Sequence, residues 1–185
     1  VQIWNPLSDQ VLHTYPMGAP IDAIRFKNDI AVADLVLGGV VRASDKSMIL
    51  PIDNVSVFAP SGLATDGETL WVADWGTGIV WQIGFAGDTP MPAVPIAAGL
   101  MNPEGLAWDK TGSLLVVETG ASRLSRIDLA TGVVSRIADN LKLSEAAIGL
   151  NAFPPTYTFD GVAIGQSGDI YVSGGGKNVI YRIIQ

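Results

Sequence analysis

The chain contains no cysteine and a single histidine, His13. With no thiols there can be no disulfide, no cysteine nucleophile and no thiolate metal site, and one imidazole cannot build a histidine-rich one. Basic residues are also scarce. Eleven Lys and Arg stand against 18 Asp and Glu, for a net charge of −7, and they are scattered along the chain. Phosphate binding needs clustered cations, so nucleic acid is excluded as a partner, and a small-molecule or cationic ligand suits the charge better. No apolar run approaches the ~20 residues of a membrane-spanning helix, which argues against a membrane partner. The N-terminus has neither an initiator Met nor a basic signal region. We therefore expect upstream sequence to be missing, in a soluble protein that is periplasmic or secreted after N-terminal processing. Helical periodicity is lacking as well: no long stretch keeps apolar residues at a spacing of 3.6, so helix is not the organising element.

What the chain does have is short runs of Val, Ile, Trp and Tyr alternating with small or polar residues, punctuated by 21 Gly and 11 Pro. Hydrophobic residues make up 48% and charged residues only 16%, the usage expected where most strands are buried between stacked sheets. One phrase recurs four times, as PIDAIRFKNDIAVAD, PSGLATDGETLWVAD, PEGLAWDKTGSLLVVE and FDGVAIGQSGDIYVS. A polar residue near its start, third in the first copy and second in the others, falls at Asp22, Ser61, Glu104 and Asp160, giving steps of 39, 43 and 56 residues. Each phrase holds two strands and a turn. A third strand follows, at Gly39, Ile79, Arg123 and Asn178, and usually a fourth, such as the one from Val133.

Four strands at a period near ~40 residues predict an all-β fold, a β-propeller of four-stranded antiparallel blades. The expected blades cover residues 19–58, 59–100 and 101–158, with partial blades at 1–18 and 159–185. Three full blades and two partial ones do not close a ring without a leftover strand. The expectation is therefore part of a six-bladed ring whose remainder is cleaved, disordered or carried by a companion chain; a small ring with a spare strand is the alternative.

In such a blade the start of the first strand and the end of the second emerge on one face. That face collects an inner ring, Asp22, Ser61, Glu104 and Asp160, and a second ring, Asp34, Asp74, Glu118 and Ser173. Carboxylates aimed at one axis repel unless a cation neutralises them, and hard oxygen donors suit calcium or another hard divalent ion. The other reading is that each inner-ring acid accepts backbone amides of the neighbouring blade. Asp74 and Trp75 are candidate substrate contacts, although an acid after a strand also fixes the following turn and a Trp there also wedges between blades. Trp4, Trp71, Trp81 and Trp108 alternate with apolar residues and are expected in the core. The long connection 140–158 could lie over the channel mouth or pack on a neighbouring subunit. His13, in an outer strand, is expected to carry no chemistry. Gly174-Gly175-Gly176-Lys177 and Gly76-Thr77-Gly78 lack the spacing of nucleotide-binding loops.

The third and fourth phrases resemble those by which gluconolactonase and regucalcin-like propellers present a metal-binding Glu and Asp, here Glu104 and Asp160. The wider repeat, residues 19 to 185, is similar to NHL-type, paraoxonase-like and streptogramin-lyase-like propellers. The resemblance implies a calcium-dependent hydrolase of a lactone or related ester. In it Glu104 and Asp160, helped by Asp22 or Ser61, hold the ion, and Glu118 activates water. The chain departs from that pattern. Pro60-Ser61-Gly62 stands where the lactonases carry Asn ligands, leaving Asn102 or an absent blade to supply one. The His used by the paraoxonase-like and lyase propellers is missing. The competing class is a non-catalytic propeller that binds a ligand or protein.

Overall fold

A computed structural model describes residues 1–144, 159–175 and 177–184. Among these there is no α-helix, only strands and one 3-10 turn at Thr119–Ala121. Strands β1 (Gln2–Asn5) and β2 (Gln10–Thr14) pair as a two-stranded edge. Blade A follows: β3 (Pro20–Phe26), β4 (Asp29–Asp34), β5 (Gly39–Arg42) and β6 (Met48–Pro51). Blade B holds β7 (Pro60–Thr65), β8 (Leu70–Asp74) and β9 (Ile79–Ile83). After a small hairpin of β10 (Phe85–Ala86) and β11 (Thr89–Pro90) it is completed by β12 (Val94–Ala97). Blade C is β13 (Pro103–Trp108), β14 (Ser113–Glu118), β15 (Arg123–Asp128) and β16 (Val134–Ala138). Blade D has three strands, β17 (Val162–Ile164), β18 (Ile170–Gly174) and β19 (Val179–Ile183).

Every pairing is antiparallel and each blade runs in chain order, from its first strand outward. The first strands β3, β7, β13 and β17 neighbour one another in succession, so the blades fan around a common axis as the repeat predicts.

The second strand of each of blades A to C is sandwiched on both faces, which is why IAVA, LWVA and LLVV read as unbroken apolar runs. Alternate residues serve alternate interfaces. Ala31, Ala33 and Val40 of blade A pack on Leu63, Val72 and Ile83 of blade B. Trp71, Ala73 and Val80 of blade B pack on Leu106, Leu114 and Val116 of blade C. Leu115, Val117 and Leu124 of blade C pack on Ile170 and Val172 of blade D. With about 1.5–3 kcal/mol for each large aliphatic side chain buried, these interfaces dominate the stability.

The structure corrects two expectations. Trp4 is 54% exposed rather than core, because the β1–β2 pair has no inner strands to pack its outer face, whereas Trp71 and Trp81 are buried as expected. The register also places Gly174, not Ser173, at the end of the fourth second-strand: Gly174 faces Val179 as Glu118 faces Arg123 and Asp74 faces Ile79. As in blade C, the hairpin of blade D is one residue longer than those of A and B, and the phrase hides that shift. The β10–β11 hairpin had no signal in the repeat. It folds back on blade A, where the Phe85 ring sits 4.7 Å from that of Phe26 and where Lys27 and Arg42 donate to the Gly87 and Asp88 carbonyls.

Candidate functional site

The inner ring is built by an irregularity repeated in three blades. Register slips between Pro20 and Asp22, Pro60 and Leu63, and Pro103 and Leu106, so each first strand bulges near its start. The register corrects the first member of the expected ring: Ile21, not Asp22, is level with Ser61 and Glu104, and Asp22 is level with Gly62 and Gly105. Asp22, Ser61 and Glu104 nevertheless all reach the next blade. Asp22 accepts from Leu63 N at 2.8 Å with Oδ2 and from Ala23 N at 2.8 Å with Oδ1. Ser61 donates its hydroxyl to the Pro103 carbonyl at 2.8 Å, with the Ala73 carbonyl at 3.2 Å. Glu104 accepts from Asp160 N at 2.8 Å with Oε2, while its Oε1 lies 3.4 Å from the Thr119 hydroxyl. Asp160 turns back within its own neighbourhood, accepting from Ser144 N and Gly175 N, each at 2.5 Å.

Ser61, Glu104 and Asp160 are fully buried. Burial pushes the Glu104 carboxyl up to about 7, and the nearby Asp160 charge adds to the rise; the Asp160 amide, the Thr119 hydroxyl and the Trp75 indole pull the other way. Burial likewise raises Asp22, against its two amide partners. Trp75 is itself buried, and its Nε1 makes no hydrogen bond of good geometry. It fills the space between blades B and C, with its carbonyl accepting from Asn102 Nδ2 at 3.3 Å.

The second ring has a different job. Asp74 is wholly buried and gathers four amides, from Phe58, Ala59, Gly76 and Thr77, at 2.8, 2.9, 3.0 and 3.3 Å. Asp34 repeats the arrangement with Gly18, Ala19, Val36 and Leu37. Glu118, the expected base, accepts from Met101 N, is gripped by Arg123 at 2.7 and 2.9 Å and takes the Ser125 hydroxyl at 2.5 Å. These are anchors for the connections around each second strand. Neither Asp74 nor Trp75 presents a surface to a substrate, and Glu118 has no free oxygen with which to activate water.

Glu104 and Asp160 are thus neighbours, but Asp22 and Ser61 do not join them, and among the described residues no three His, Asp or Glu side chains gather as a metal cluster. Calcium wants six to eight oxygens around one centre at ~2.3–2.6 Å. Here the donors point along the ring, each at a different peptide group, and the set does not fit one hard cation. Arg123, Ser125, Thr119 and Asn102 went unnoticed or were given other roles from sequence. Arg123 and Ser125 lie at positions of β15 where the repeat phrase carries no signal. The connection 145–158 lies outside the described residues, while Leu141 and Leu143 just before it are buried. His13 is exposed, its ring centroid 4.3 Å from that of Tyr15.

No family model and no curated protein matches this chain. Solved structures do. Virginiamycin B lyase from Staphylococcus aureus aligns over 96% of this chain and 61% of its own, at 17% identity and a TM-score of 0.62. The chain has a β-propeller fold. This propeller is equally similar to a gluconolactonase from Xanthomonas campestris, over 94% of this chain and 61% of that one at 16% identity and a TM-score of 0.63. It is also similar to a chain of the nidogen–laminin complex, over 94% and 62% at 14% identity and a TM-score of 0.60. The propeller spans about three fifths of the length of these solved structures. At such identities the likeness is one of fold, and a lyase, a gluconolactonase and a chain of a nidogen–laminin complex share it.

Proposed function

We propose that this propeller is a non-catalytic scaffold that binds a small molecule or a protein. The observation that carries the reading is the orientation of the inner ring: Asp22, Ser61 and Glu104 each spend an oxygen on the backbone of the next blade, and Asp160 spends both on nearby amides. Side chains so placed hold blades together. A hydrolytic site needs polar groups free to meet a substrate, and Glu118 and Asp74 are also engaged. Binding needs only a rigid framework that displays its connecting loops.

A second reading, a metal-dependent hydrolase of a lactone or related ester, keeps one specific support. Glu104 and Asp160 are adjacent, the pair that the reading would have hold the ion.

Calorimetry with calcium chloride decides between the two. The scaffold reading expects no saturable heat up to millimolar calcium, for the native chain and for Glu104→Ala alike. A calcium site abolished by Glu104→Ala, accompanied by gluconolactone hydrolysis, would replace it with the hydrolase. Among the described residues no helix is long and apolar enough to cross a membrane.

A further inference from the structure

Blade D has a face that the other blades cover. Register aligns Tyr171 with Ala31, Trp71 and Leu115, aligns Ser173 with Ala33, Ala73 and Val117, and aligns Ile180 with Val40, Val80 and Leu124. All nine residues of blades A to C are at most 3% exposed beneath the following blade, whereas Ile180 is 76% exposed. Gly161, Val162, Ala163, Tyr171, Ser173 and Ile180 line an open, mostly apolar hollow of about 260 Å³.

We infer that this face is the docking surface for one further four-stranded blade of the same repeat type, completing more of the ring. The inference rests on the fold and is independent of whether the propeller is a scaffold or a hydrolase.

The glycines supply a second observation. A Cβ on Gly62 would come within 1.9 Å of the Glu104 carbonyl oxygen, and one on Gly105 within 2.6 Å of the Asp160 carbonyl oxygen, because the next first-strand passes directly over each. Gly161 occupies the same position in blade D, yet a Cβ there would meet nothing nearer than the Ser173 hydroxyl at 3.7 Å. The clearance is present, and among the described residues no strand passes over it.

The fit also fixes the chemistry of the occupant. It must pass a main-chain carbonyl over Gly161 and present aliphatic side chains equivalent to Leu63 and Val72, or Leu106 and Val116, to Ala163, Tyr171 and Ile180. Ser173, on this face, already accepts from Gly161 N at 2.7 Å, so covering it orphans no amide. A second copy of this chain is the wrong partner. Each copy spans about three fifths of the length of the solved structures, so two copies exceed the length of one.

The absence of cysteine makes the test direct. Ile180→Cys is labelled with a maleimide in the 185-residue chain and in the same chain extended at its C-terminus by a second copy of residues 43–139, which supplies an outer strand and two blades. The expected result is rapid, concentration-independent labelling of the 185-residue chain and labelling slowed at least about tenfold in the extended one. Equal rates in both would overturn the proposal. So would slow labelling of the 185-residue chain, whether at every concentration or only as concentration rises. Should the extended chain not fold, Gly161→Val in the 185-residue chain serves instead. It should leave the thermal midpoint within about 2 °C of the parent while Gly62→Val collapses it. Equal losses would mean that the Gly161 face is already covered, and the proposal would fail.

Discussion

Glu104 should make this propeller more stable in mild acid than at neutral pH, and Glu104→Gln should remove most of the difference. The folded carboxyl titrates at about 7 against 4.5 for an unperturbed Glu, chiefly because it is buried. A raised carboxyl pKa means that the folded state holds a proton the unfolded chain has released. The resulting contribution is complete below pH ~4.5 and is lost as pH rises through about 7. The gap of two to three pH units corresponds to about 3 kcal/mol, or roughly 6–12 °C of thermal midpoint in a domain of this size. Asp22, also raised by burial, acts in the same sense. Asp53, Asp128 and Asp169 act oppositely: held low by hydrogen bonds from the Val57 amide, the Thr131 side chain and Arg182, they lose their contribution only as pH falls below the ordinary Asp range of 3.8. Gln keeps an oxygen for the Asp160 amide and cannot ionise. Thermal melts of the native chain and the Gln variant between pH 5 and 8 isolate the effect, since His13, Asp22 and the amino terminus are common to both. A native profile flat over that interval, or a slope undiminished in the Gln variant, would refute the argument that this carboxyl is stranded away from water.

Two further outcomes follow from the second ring. Asp74→Ala leaves four amides without an acceptor, and the expected loss is about 3 kcal/mol or more, read as a lower urea midpoint with unchanged slope. Arg123→Leu strips the buried Glu118 of its counter-charge and should cost about 2–3 kcal/mol, discounted because the Arg side chain is 32% exposed; adding Glu118→Gln should recover most of it.

Strand positions and blade grouping were readable because a buried sheet imposes a period of two on side chains and a turn every few residues. IAVAD and LWVAD declare themselves at once. The direction of a side chain at a bulge was not readable. Asp22, Ser61 and Glu104 lie on the first strands, Asp22 one position beyond the other two, and whether they meet at a centre or reach sideways depends on a slip in register that leaves no mark in residue type. Trp4 misled for a related reason: apolar alternation reports what a strand could bury, and in the β1–β2 pair nothing packs over it. Ser173 was misassigned because a single extra hairpin residue moves every later position to the opposite face. Glu118 looked like a base because its partners Arg123 and Ser125 lie on the next strand, across the sheet rather than along the phrase.

The three inner-ring links between blades run one way along the polypeptide. Asp22 reaches a peptide group 41 residues downstream, Ser61 one 42 residues on and Glu104 one 56 residues on. During synthesis each of these sheets therefore leaves the ribosome with one side-chain hydrogen bond still unmade, and the following sheet supplies the partner. Truncation is correspondingly lopsided: trimming from the front takes no hydrogen-bond acceptor or donor from these three side chains in the blades that remain, whereas trimming from the back strands the last one left.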